Sequence, residues 1–151
     1  MNINHTLYYS DITDSFILET PSRTISEADI MLFAGLTGDY NELHTSITFA
    51  EKTSFNERIA HGMLTLSMAN GLYMRTGLFE QSTVANLGIK EWKFVKPVKI
   101  GDTIFVRISL HDKHLTSRQE RGVVNWQIDV LNQHEEVVAS GIWTKMIRNM
   151  L

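Results

Sequence analysis

The stretch "HGMLTLSMANGLYMRTG", residues 61–77, runs from Gly62 to Met74 without a charge, and the first one comes at Arg75. A surface helix shows a polar stripe, whereas this segment is apolar or small nearly all round, so it belongs in a protein interior. Something must then cover it. Downstream the texture changes to β: "NLGIKEWKFVKPV" (86–98), "DTIFVRISLHD" (102–112), "GVVNWQIDVLNQ" (122–133) and "VVASGIWTKMIR" (137–148) are rich in Val, Ile, Phe, Trp and Thr and alternate in polarity. Turn material such as "KIGD" and "NQHEE" separates them, which predicts four successive antiparallel strands. Upstream, "SFILETPSRT" (15–24) supplies a further strand ended by Pro21. The expected architecture is α+β, one curved antiparallel sheet around one central apolar helix.

Two shorter helices are expected ahead of it. "SEADIMLFAGL" (26–36) begins with Ser26 as a cap, carries Glu27 and Asp29 in its first turn, and places Ile30, Phe33 and Ala34 on one face. A second is predicted at about 46–53, from Ser46 through "ITFAEKT".

The bulk numbers narrow the function classes. A chain of 151 residues with 43% hydrophobic and 21% charged residues fits a single domain over 1–151, with no repeat or linker to divide it. A net charge of -3 offers no global attraction for nucleic acid or an anionic membrane. There is no cysteine, which removes disulfides, thiolate chemistry and cysteine-ligated zinc and suits a cytoplasmic location. The N-terminal "MNINHTLYYSDITDSF" lacks the basic-then-apolar pattern of a leader, and no long uncharged apolar run suggests a membrane span.

Chemistry gathers in "GDYNELHTS" (38–46), where Asp39, Asn41, Glu42 and His44 crowd a break after the first helix. On a continuous helix, residues five apart lie about 140° apart around the axis and about 7.5 Å along it, so Asp39 and His44 would not face one atom. A turn at Gly38, with Asp39 and Asn41 holding irregular backbone, would converge them. A carboxylate beside an imidazole suits water activation and proton transfer. The plainer alternative is that Asp39 caps a turn and His44 is a surface residue. Gly62, opening the apolar helix, presents unsatisfied N–H groups at the positive end of the helix dipole, a place suited to a developing oxyanion. Its plainer alternative is a loop junction with His61 as cap.

Together, "LTGDYNELH" (36–44) and "ERIAHGML" (57–64) resemble the hydratase motif of the MaoC-like dehydratases and (R)-specific enoyl-CoA hydratases, in order and spacing. The resemblance extends from about Thr24 to Met146 through "ANLG", "FVKPVKIGDTI" and "VLNQHEEVVASG". It implies a hot-dog fold and a homodimer, or a higher homo-oligomer, with two sheets joined edge to edge. It implies reversible hydration of a 2-enoyl thioester, on coenzyme A or a carrier-protein phosphopantetheine, to a 3-hydroxyacyl thioester in fatty-acyl metabolism, with no cofactor. Position by position, Asp39 and His44 match the catalytic acid and histidine and Gly62 the glycine whose amide polarises the thioester carbonyl. Asn41, His61, Met63 and Asn70 make up the expected substrate-side set. Which of Asp39 and His44 is the base is open at the level of sequence.

Three departures accompany the likeness. Glu42 stands where the motif has proline, Ser46 where many relatives have aspartate, and Asn70 where short-chain (R)-hydratases carry an acyl-pocket serine. For the last, two readings stand: an amide presented to a functionalised acyl group, or a satisfied polar residue within a helix. Lys90, Lys93, Lys96 and Lys99, with Arg118 and Arg121, read as phosphate-neutralising candidates or solvated charge. His111 and His114 have a metal-like spacing without a third ligand, and no metal is assigned. Met63, Met68 and Met74 read as core and tunnel wall, and Trp92, Trp126 and Trp143 as buried strand residues. Two other readings stand beside the hydratase: a hot-dog thioesterase, and a non-catalytic acyl-thioester binding or partner subunit.

Overall fold

The computed structural model describes residues 6–150, so part of the N-terminal stretch expected to lack a leader lies outside the described residues. A 3-10 turn at Tyr9–Asp11 leads into β1 (Ile17–Glu19) and β2 (Arg23–Thr24), two short pieces separated at Pro21. Helix α1 (Glu27–Thr37) starts at Ser26 with a reciprocal capping box: Asp29 N–H donates to Ser26 Oγ and Ser26 N–H donates to Asp29 Oδ2. It stops at Gly38, whose φ of 79° only glycine adopts freely and whose N–H closes on Ala34 O at 2.8 Å. Ile30 and Ala34 are buried and Phe33 half-buried, the face expected of it.

The helix expected at 46–53 is shorter. One turn forms at α2 (Glu42–Thr45) and another at α3 (Ile47–Ala50), after which the chain turns away. The Thr53 hydroxyl donates to Ala50 O at 2.7 Å and the Lys52 and Thr53 amides bond three residues back, so the carbonyls that would continue the helix are spent locally.

Helix α4 (Gly62–Met74) is the central one. Strands β3 (Thr83–Phe94), β4 (Thr103–Leu115), β5 (Arg121–Leu131) and β6 (Val137–Arg148) then form the sheet, antiparallel throughout, with β1 and β2 both pairing β4. The order is β1-β4-β5-β6-β3, so β3 lies beside β6, not beside the strand that follows it. The segment 95–102 that makes this crossing runs past the mouth of α4, where Ala60 N–H donates to Val98 O at 2.7 Å and Ile59 bridges Lys99. β3 bulges between Lys90 and Lys93, with Glu91 at φ 53°, and Gly141 of β6 sits where a Cβ would meet Trp92 at 2.8 Å.

Leu64, Met68, Ala69, Leu72 and Tyr73 of α4 pack on Val106, Ile108, Trp126, Ile128 and Val130 of the sheet, with Phe79 and Ile30 completing the core. The all-round burial expected of α4 holds on one side only. Met63, Ser67 and Gly71 are exposed and Leu66 and Asn70 half-buried, an open stripe that a single chain leaves uncovered. Among the described residues no helix is long and apolar enough to cross a membrane.

Leu72 is 1% exposed and Leu32 of α1 is 73% exposed. Leu72→Ala is expected to lower unfolding stability by about 3 kcal/mol, and Leu32→Ala by under about 0.5 kcal/mol. Urea denaturation followed by tryptophan fluorescence measures both.

Candidate active site

The break after α1 does bring the expected pair together. From Gly38 the chain turns so that the Asn41 side chain accepts from Leu43 N–H at 3.0 Å, starting α2, and Asp39 Oδ1 accepts from Asn41 N–H at 3.3 Å. The short α2 presents His44 inward, where its ring Nδ1 lies 2.8 Å from Ile59 O. A carbonyl only accepts, so Nδ1 carries the proton and Nε2 offers a lone pair. His61, 2% exposed, does not cap α4 with its side chain. Its Nε2 lies 2.9 Å from Asp39 O and must donate, so its Nδ1 is a buried lone pair without a protein partner. The two imidazoles stack with centroids 3.8 Å apart, and Phe33 packs on the far side of His61.

One ligating atom each from Asp39, His44 and His61 lies within 4.8 Å of the others. With both rings neutral, these residues offer a carboxylate oxygen, His44 Nε2 and His61 Nδ1 as acceptors, a donor set that suits a water or a cation. Such a set was not read from the sequence, which looked instead to His111 and His114. Those two are exposed on β4, and among the described residues neither belongs to a group of three or more possible metal ligands.

Gly62 lies across from this group in a cavity of about 380 Å³, lined also by Met63, Phe94 and Val138. As the first residue of α4 its amide has no acceptor within the helix. A Cβ there would fall 2.8 Å from the Phe94 ring, so the glycine admits that ring as well as leaving the amide bare.

Of the expected set, Asp39, His44, His61, Gly62 and Met63 share this cavity, while Asn41 holds the loop from outside its lining. Asn70 is elsewhere, lining a second cavity of about 420 Å³ with Leu66, Asn86 and Lys145. There Asn70 Oδ1 accepts from Lys145 Nζ at 3.2 Å. Lys145 was missed in the sequence, where its signal is a lysine in phase with Trp143 and Ile147 along an apolar strand. The Ser46 departure is a cap: its Oγ accepts from Phe49 N–H at 3.3 Å, which an aspartate does equally well. Glu42 is the first residue of α2, the position where proline is also favoured. Lys96 and Lys99 are held in surface ion pairs with Glu136 and Glu57.

The fold and site together define a hot-dog domain with a carboxylate and two imidazoles gathered at the mouth of its central helix. The family model "MaoC like domain" matches residues 12–130, and the chain belongs to that family. It is 38% identical to Protein MaoC of Klebsiella aerogenes over 79% of this chain but only 36% of that protein, so it spans about a third of that relative's length. It is 35% identical to the (R)-specific enoyl-CoA hydratase of Rhodospirillum rubrum, over 68% of this chain and 69% of that one. Among solved structures, the monoamine oxidase regulatory protein from Archaeoglobus fulgius superposes with a TM-score of 0.91 at 36% identity over all of both chains. A Mycobacterium tuberculosis protein with a double hotdogfold, 18% identical, superposes with a TM-score of 0.84 over 96% of this chain and 45% of its own, a likeness of fold.

Ser46→Asp is expected to leave thermal stability unchanged, whereas Ser46→Ala is expected to lower it by about 1 kcal/mol, read from paired calorimetric scans.

Proposed function

We propose that the domain is a hydro-lyase that reversibly adds water to a 2-enoyl thioester on coenzyme A or a carrier protein, giving the (R)-3-hydroxyacyl thioester. The observation that carries this reading is the gathering of Asp39, His44 and His61, one ligating atom of each within 4.8 Å of the others, in the cavity that Gly62 also lines. The named hydratase among the relatives supports it.

In this reading the thioester carbonyl points to the Gly62 N–H, where negative charge gathers as the water oxygen bonds to carbon three. The Asp39 carboxylate accepts one water O–H and orients the oxygen. Neutral His44 takes the other proton at Nε2, the lone pair left by its bond to Ile59 O. The imidazolium then returns that proton to carbon two, the enolate collapses, and oxygen and hydrogen have been added from one face. His61 is a positioning residue: its bond to the Asp39 carbonyl fixes the loop that carries the carboxylate. The reaction needs no metal or organic cofactor, because every proton and electron pair comes from water, substrate and His44. A thioesterase would instead hold the water against the carbonyl carbon and release free thiol.

We propose further that two copies associate through β3, the terminal strand of the sheet, whose Val84, Leu87 and Ile89 are exposed beside the open stripe of α4. The double hot-dog relative, of which this chain spans under half, supports a paired arrangement.

Incubation with crotonyl-CoA and longer enoyl-CoAs is expected to remove the conjugated enone absorbance without releasing free thiol. Asp39→Asn and His44→Ala are each expected to lower kcat by about 10²–10⁴-fold with unchanged circular dichroism. Loss of enone with full activity in both variants would remove these residues from the mechanism. Chelation by EDTA is expected to leave turnover unchanged, and added Zn²⁺ to inhibit by occupying the three acceptors. Light scattering after gel filtration is expected to give a dimer mass, reduced toward the monomer by Leu87→Lys with Ile89→Lys.

A further inference from the structure

Phe94, the last residue of β3, sets its ring against Gly62, where a Cβ would meet ring carbons at 2.8 Å, yet the residue is 53% exposed. A phenylalanine kept for packing is buried, because its stabilisation comes from area removed from water. This ring forgoes about half of that and still takes a fixed place. Its backbone is anchored by β6, where the Val95 and Lys96 N–H groups both donate to Val138 O, at 2.8 Å and 3.1 Å. The ring meets Trp92 edge-on, with centroids 6.3 Å apart. The bulge between Lys90 and Lys93 comes just before it, and bulges next to active sites re-aim side chains.

Helix geometry decides which side of Gly62 the ring covers. Every Cα–Cβ bond of a helix leans toward the N-terminus, and the first amides point out of that same end without an acceptor in the helix. A ring that crowds the Cβ position of Gly62 therefore flanks the point its N–H faces, inside the cavity that both residues line with Asp39 and His44. A bare amide at an open mouth is hydrated, so an incoming acceptor must displace water and then share the donor with solvent. In a water-excluded site the same amide stabilises developing charge far more strongly. A side chain on residue 62 would dry the amide only by obstructing it. Glycine, with a ring brought in from another strand, leaves the front of the amide open and closes its flank. The contact is made within one chain and does not depend on a second copy.

We propose that the Phe94 ring is the dry wall of the oxyanion position, holding water off the Gly62 amide so that a thioester carbonyl becomes its acceptor. This rests on the hydratase reading, and the spectrum of a bound ligand separates the two. The probe is cinnamoyl-CoA, a conjugated enoyl thioester whose absorbance moves to the red when its carbonyl is polarised, bound to the slow Asp39→Asn variant. A red shift is expected there, kept when Phe94→Leu is added and lost when Phe94→Ala is added, with unchanged circular dichroism. Phe94→Val, small but strand-forming, is expected to act as Phe94→Ala does and serves if the alanine variant is unstable. With Asp39 intact, Phe94→Ala is expected to lower kcat for crotonyl-CoA about tenfold, part of the 10²–10³-fold that an oxyanion donor carries. KM is expected to change by less than about twofold, because the loss falls on the transition state. A red shift that survives both small replacements, or a rise in KM at constant kcat, overturns the inference and leaves the hydratase reading standing. No red shift in any variant removes Gly62 as the carbonyl's donor and ends this inference with that part of the reading. A red shift that depends on Phe94, without hydration of any enoyl-CoA, supports the wall and ends the hydro-lyase.

Discussion

The site depends on one short segment, residues 59–61, at the mouth of α4. Ile59 O accepts from His44, and His61 donates to Asp39 O, so both tethers of the loop after α1 end within three residues of chain. Each tether also sets a tautomer, which makes His44 Nε2 and His61 Nδ1 lone pairs instead of donors. The segment is itself held by Ala60 N–H on Val98 O and by the bridge from Ile59 to Lys99. Those partners belong to the stretch that crosses from β3 to β4, and it passes this mouth only because β3 lies beside β6. Strand order and imidazole chemistry are thus connected through a few backbone hydrogen bonds.

The fold was legible where a local pattern reports a global need. The charge-free run of α4 and the alternation of four strands specify a helix and a sheet that must meet, and the Ser26 cap and Gly38 stop delimit α1 by local stereochemistry. Strand order left no such trace, because β3 and β4 would look the same whether or not they paired. The helix expected from Ser46 is present as α3, but its early end at Ala50, where the Thr53 hydroxyl donates to Ala50 O, and the separate turn α2 escaped. At the site, Asp39, His44 and Gly62 were found through motif spacing, but the bond from His61 to Asp39 spans 22 residues with no periodicity to reveal it. Asn70, expected on the substrate side, lines the second cavity and not the one shared by Asp39, His44 and Gly62.

The departures from the motif fall into two kinds. Glu42 and Ser46 occupy the first position of one helical turn and the cap of the next, where the backbone asks for a favourable φ or a side-chain acceptor. Proline and glutamate meet the first requirement, aspartate and serine the second, so these exchanges preserve the shape of the catalytic loop. Asn70 is different, because its oxygen is engaged by a buried cation contributed from another strand. A change there alters the hydrogen bonding of that buried ammonium.

Helix α4 reconciles these demands. Its inner face supplies Leu64, Met68, Leu72 and Tyr73 to the core, and its outer face supplies Gly62, Met63, Leu66 and Asn70 to the two cavities. Both faces need apolar or small residues, one for packing density and the other for contact with a ligand chain or a second copy of the sheet edge. The absence of charge from Gly62 to Met74 therefore does not measure burial within one chain. It reflects one face packed in the core and another that lines cavities whose polar groups, Asp39, His44 and Lys145 among them, come from other elements.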